Sequence, residues 1–136
     1  MKVQHLTVDD VLEIHEDGLA EHGGADGVRD PGALDSAVMA PQQTYDGVPV
    51  FGSLAEIAAA YCVYIAKNHA FVDGNKRTAL LAAIAFLDAH GYEIPLDEQW
   101  VDITESVATS KIGREELAEL FASAMGDWGE IETVQP

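Results

Sequence analysis

At 136 residues and 48% apolar composition the chain suits one domain with a core of its own, without staples. Seven Lys and Arg against 24 Asp and Glu give a formal net charge of −17, which disfavours nucleic acid and anionic membrane as partners because both would repel it. The single Cys62 excludes a disulfide framework and fits a reducing compartment.

The first ten residues, MKVQHLTVDD, lack the apolar stretch of a secretory signal, and no apolar run reaches membrane-spanning length, so a cytoplasmic protein is expected. Thr7 predicts the start of a first helix, with Val8, Leu12, His15 and Leu19 on one face and an end near Gly23-Gly24. His15 and His22 read as solvated helix surface. His15-Glu16 lacks the second His that a zinc-protease helix needs. Asp30-Pro31 predicts a second, short helix, an N-cap followed by Pro at the first position, that stops before Pro41. From Gln42 to Gly52 the chain is polar and broken, and Val48-Pro49-Val50-Phe51 is too short to build a sheet.

Ser53-x-x-Glu56 predicts a capping box opening a third helix, apolar on nearly every side through Ala66 and therefore buried. Cys62 precedes His69 by seven residues, about 10 Å along a continuous helix. That is too far for a thiolate–imidazole pair, so Cys62 reads as core. The stretch HAFVDGNKRT, residues 69–78, then gathers a His, an Asp, an Asn and two cations between two apolar runs. Asp73 reads as the N-cap of a fourth helix running from Asn75 to His90 and closed by Gly91. Gly74 allows close approach by a ligand, and Phe71 packs into the core to hold the loop. Asn75, Lys76 and Arg77 fall on the first turn, where bare N–H groups and the helix dipole favour an anion. Cations there oppose the dipole unless an anion compensates them, so a phosphate site is expected, with His69 beside it.

Leu80, Leu81, Ile84, Ala85, Phe86 and Leu87 cover most faces of this helix, which places the third and fourth helices at the centre of the bundle. After Pro95, Asp97 starts a fifth helix with Trp100, Ile103 and Val107. Gly113 separates it from a last helix, 115–125, with Leu117, Leu120 and Phe121 inward. Residues 126–136, Trp128 among them, read as an acidic tail. The expected fold is all-α, a compact bundle of about six helices forming one domain over residues 1–125.

His69-Ala-Phe71-Val-Asp73-Gly74-Asn75-Lys76-Arg77 resembles the signature of the Fic/Doc (Fido) superfamily, H-x-F-x-[DE]-[GA]-N-[GK]-R. The stretches VRDPGALDSAV and RTALLAAIAFLDAHGY resemble its death-on-curing (Doc) toxins, and the likeness spans roughly residues 5–125. Lys76 is similar to the Doc branch, where AMP-transferring Fic proteins carry Gly. Gly74 is similar to the Fic pattern, where Doc toxins usually carry Ala.

The resemblance implies the Fic/Doc fold with a short extended flap over residues 42–52 that aligns a target peptide by strand addition. It implies His69 as the catalytic base, Asp73 as a ligand of Mg²⁺, and Gly74, Asn75, Lys76 and Arg77 on the phosphates of ATP. By the same resemblance, the γ-phosphoryl group passes to a Thr or Ser of a protein, elongation factor Tu, and halts translation. Control would come in trans from the prevents-host-death-like antitoxin of a type II toxin-antitoxin system. No segment fits the inhibitory pattern [ST]-x-x-x-E-[GN], since Arg114 follows Ser110 and Gly113 follows Thr109 at the Glu place. AMP transfer to a protein hydroxyl and a binding-only module are the two other readings.

Overall fold

The computed structural model describes residues 2–126; Trp128 and the rest of the expected tail, 127–136, lie outside the described residues. Among the described residues six α-helices follow one another: α1 (Val8–His22), α2 (Pro31–Met39), α3 (Leu54–Asn68), α4 (Asn75–Ala89), α5 (Glu98–Ala108) and α6 (Arg114–Met125). Four of them start where a side chain can accept from the free amides of the first turn. Thr7 and Asp10 form a complete capping box, Asp30 accepts from Ala33 with Pro31 at the first position, and Asp97 accepts from Trp100. Ser53 accepts from Glu56 N–H at 3.1 Å but donates its hydroxyl to the Glu56 carboxylate at 3.0 Å. The expected box is therefore only half built, because the carboxylate closes on the hydroxyl rather than on the backbone of Ser53.

Between α2 and α3 a single 3-10 turn (Ala40–Gln42) leads into a hairpin, β1 (Thr44–Tyr45) and β2 (Val48–Pro49), antiparallel with Thr44 opposite Pro49. Asp46 and Gly47 both have positive φ, 51° and 78°, as an Asp-Gly hairpin turn requires. This is the expected flap. The segment does pair with itself, over two residues per strand.

Ten of the fifteen residues of α3 are buried, including Ile57, Tyr61, Cys62 and Ile65. Its Ala58, Ala59 and Ala66 and the Ala79, Ala82 and Ala83 of α4 are all at or near zero exposure, and α3 lies against α4. This is the most extensive contact in the fold, followed by α3 against α6. Burial pushes the Cys62 thiol up to about 12, which leaves it an inert core residue. Leu81, Ile84 and Ala85 are only partly buried, so α4 turns one face outward where all-round burial was expected, and Leu120 of α6, expected inward, is partly buried too. Trp100 stacks on Phe121 at 4.8 Å and ties α5 to α6. No helix among the described residues is long and apolar enough to cross a membrane.

Candidate active site

His69 ends α3 as its C-cap, with φ 51° and ψ 43°. A side chain in this left-handed region costs about 1–2 kcal/mol, so neighbouring structure must hold it. The segment 27–30 does so. Arg29 donates from Nη2 to the His69 carbonyl at 2.6 Å, and the amides of Arg29 and Asp30 both donate to the Ala70 carbonyl. Val28 bridges Phe71, and Val72 N–H donates to the Gly27 carbonyl. Ala70 and Phe71 are thereby driven into the core at 2% and 1% exposure. The reversal leaves His69 exposed, and its imidazole makes no hydrogen bond among the described residues.

From there the chain turns into α4 through Gly74, which is the N-cap, at φ 79° and ψ 19°, and offers no side chain to the helix. Asp73, expected in that role, is committed one residue earlier. Its Oδ1 accepts from Gly74 N–H at 2.8 Å and its Oδ2 from Ala25 N–H at 3.2 Å. Those two amides, with Arg77 and His15 adding, hold the exposed carboxyl below its ordinary range despite slight desolvation. Asn75 folds back instead: its Oδ1 accepts from Phe71 N–H and its Nδ2 donates to the Phe71 carbonyl, both at 3.0 Å. With both amide atoms engaged, Asn75 ties the loop. The amides of residues 75–77 precede the first helical bond, Thr78 N–H to the Gly74 carbonyl, and no side chain caps them.

At about 100° per residue, successive side chains of the first turn leave in different directions. Lys76 Nζ reaches α5 and sits 2.6 Å from the Glu105 carboxylate. Arg77 runs toward α1, where Nη2 donates to the Gly23 carbonyl at 3.1 Å and Nε is buried without a partner. What these residues share is the helix start itself rather than one common side-chain contact. Two further cations border the loop: Arg29 on the His69 carbonyl, and Lys67, which donates to Ser110.

His15, expected on the solvated surface, is instead 3% exposed. Its ring lies parallel to that of Phe71, with centroids 3.8 Å apart and planes 7° from each other, and Nε2 donates to the Asp73 carbonyl at 2.8 Å. Val11, His15 and Gly18 form the buried stripe of α1, so the helix turns that stripe, not solvent, toward the loop. His22 does lie on the surface.

The uncapped amides and the half-exposed Lys76 fit the phosphates of a nucleotide, whereas Nε of Arg77 is shut in against Gly18 of α1. No three His, Cys, Asp or Glu among the described residues gather as a metal cage. Asp73, exposed beside the start of α4, would offer its carboxylate to a Mg²⁺ that arrives with phosphate, a usual arrangement for that ion. A separate cleft of about 450 Å³ lies at the flap, lined by Val50, Phe51, Glu56 and Arg114 among others, and none of the residues above borders it.

The sequence model of the Fic/DOC family matches residues 5–87, from the segment leading into α1 to near the end of α4. Over 118 residues the chain is 40% identical to "Toxin Doc" of Mycolicibacterium smegmatis, covering 85% of this chain and 88% of that one. Over 124 residues it is 29% identical to "Protein kinase doc" of Escherichia phage P1, covering 91% and 98% respectively.

Proposed function

Because the chain belongs to the Fic/DOC family, on its Doc toxin branch, we propose that it is a toxin that transfers the γ-phosphoryl group of ATP to a protein hydroxyl. The target we infer is a Thr or Ser of elongation factor Tu, so that translation stops. The observation that carries the kinase reading is Lys76 on the first turn of α4, where AMP-transferring Fic proteins resembling this chain carry Gly. A charged four-carbon side chain there changes the nucleotide's seat far more than the Gly74-for-Ala difference does. The name of the phage relative, a protein kinase, supports the same choice.

His69, exposed at the end of α3, takes the proton of the substrate hydroxyl as its oxygen attacks the γ-phosphorus. A P–O bond to the new ester forms, the bond to the β-phosphate oxygen breaks, and ADP leaves. Arg77, Lys76 and the amides of residues 75–77 hold phosphate oxygens, and Asp73 offers its carboxylate to the metal. Mg²⁺, when bound with ATP, supplies neutralisation of charge across the phosphates. The hairpin of β1 and β2, with Tyr45, Val48 and Val50 exposed, offers an edge along which a target peptide can lie. The cytoplasm follows from that target. An antitoxin of the prevents-host-death kind acts in trans, and the net charge of −17 suits basic side chains on the segment that covers the toxin.

The test is incubation with elongation factor Tu and ATP labelled on either the α- or the γ-phosphate. Label passing only from the γ position is expected. Label passing from the α position assigns AMP transfer instead, and no transfer from either supports the binding-only reading.

A further inference from the structure

We propose that His15 is a positioning residue for the phosphate site: through Asp73 and Phe71 it fixes the peptide from which α4 starts. The bond to the Asp73 carbonyl requires a proton on Nε2, since the carbonyl can only accept. It holds the carbonyl side of the peptide joining Asp73 to Gly74, whose N–H donates to Asp73 Oδ1, and this peptide sets two things at once. It aims the Asp73 carboxylate on one side and the first amides of α4 on the other.

Packing alone does not explain the choice of residue. A Phe or Leu would fill a 3%-exposed place against Phe71 without the cost of burying a polar ring. His15 also closes the space around Gly74. A Cβ there would lie 3.6 Å from both Nε2 and Cδ2 of His15, and 3.1 Å from Arg77 Nη2. One turn further along the same stripe, Gly18 leaves room for Arg77, whose Nε stands 3.1 Å from where a Cβ would be. Thus α1 carries two adjacent contacts to the α4 start: His15 sets its backbone, and Gly18 admits its arginine.

The inference rests on the reading of this corner as the nucleotide-phosphate site, and its test includes a measurement that needs no transfer. His15→Phe keeps a ring beside Phe71 and removes the donor. His15→Gln returns an N–H donor near the Nε2 position and removes the ring. In the unliganded protein, the Asp73 carbonyl-carbon and Gly74 amide resonances should move in His15→Phe and return toward wild type in His15→Gln. The KM for Mg·ATP should rise about tenfold in His15→Phe and recover to within about threefold in His15→Gln.

Unchanged resonances and KM in His15→Phe would overturn the proposal. So would equal losses in both variants together with a falling melting temperature, which is what a packing role predicts. Should His15→Phe not fold, His15→Gln decides by itself: wild-type resonances support the positioning role and displaced ones refute it. Because the resonances are read without ATP, the role of His15 is decided even in a protein that transfers nothing, separately from the kinase reading.

Discussion

Lys76 cannot both rest on Glu105 and serve a phosphate, so on the proposed reading the pair makes a measurable barrier to nucleotide binding. The ammonium lies 2.6 Å from the carboxylate, and both side chains are slightly more than half exposed, at 55% and 56%. An exposed pair of this kind is worth about 0.2–1 kcal/mol. If the ammonium must leave Glu105 to reach the nucleotide, Glu105→Gln removes that penalty, and ATP affinity should rise by about 1.4- to 5-fold. Loss of one negative charge from a chain at −17 also favours an anion everywhere, and that background must be subtracted. Glu93→Gln measures it: Glu93 is exposed just beyond the C-terminal end of α4, roughly 20 Å of helix from Lys76. Calorimetric titration of Mg·ATP into the three proteins, at low and at moderate salt, is the assay. The gain specific to Glu105→Gln should shrink as salt screens the pair, while its unfolding free energy falls by no more than about 1 kcal/mol. Equal affinities for the two variants, or weaker binding in Glu105→Gln, would refute the idea that Lys76 trades Glu105 for phosphate.

Three other outcomes follow from the same structure. Gly18→Ala should leave the melting temperature within a few degrees, helix propensity offsetting the crowding at Arg77 Nε, yet lower transfer by roughly tenfold, since ångström-scale misplacement of a binding group carries costs of that order. Ile57→Ala, at 1% exposure in α3, should cost about 2–5 kcal/mol in urea denaturation, against less for the partly buried Ile84 of α4. His5 is held below the ordinary His value by burial and by the neighbouring His90, so the unfolded chain takes up the proton first. Its contribution is whole above about pH 6.5 and is lost as pH falls below that, and denaturation at pH 7.5 and 5.5 should show a difference that His5→Gln reduces.

What is legible in the sequence follows the range of the forces involved. Helix starts at Thr7, Asp30, Ser53 and Asp97 are set by bonds spanning three residues, so local sequence reveals them. The burial of α3 is legible because an all-round apolar helix has no other stable place. Structure and sequence part where distant segments compete for a group. Position alone makes Asp73 a cap, but Ala25 N–H, 48 residues away, holds one of its oxygens. Asn75 sits where a phosphate would be, yet it commits its amide to the backbone of Phe71. His15 departs furthest from expectation. The one signal for it is its spacing from Val11 and Gly18 along a stripe, and no local rule says what lies over that stripe. Arg29 likewise enters the site only because the segment 27–30 folds against residues 69–72.

The most direct test of the account is the intact mass of elongation factor Tu after incubation with Mg·ATP and either the wild-type protein or His69→Ala. Gain of a single phosphoryl group with wild type, and of nothing with His69→Ala, is the predicted result. Gain of an AMP group, or equal modification by both proteins, would contradict it.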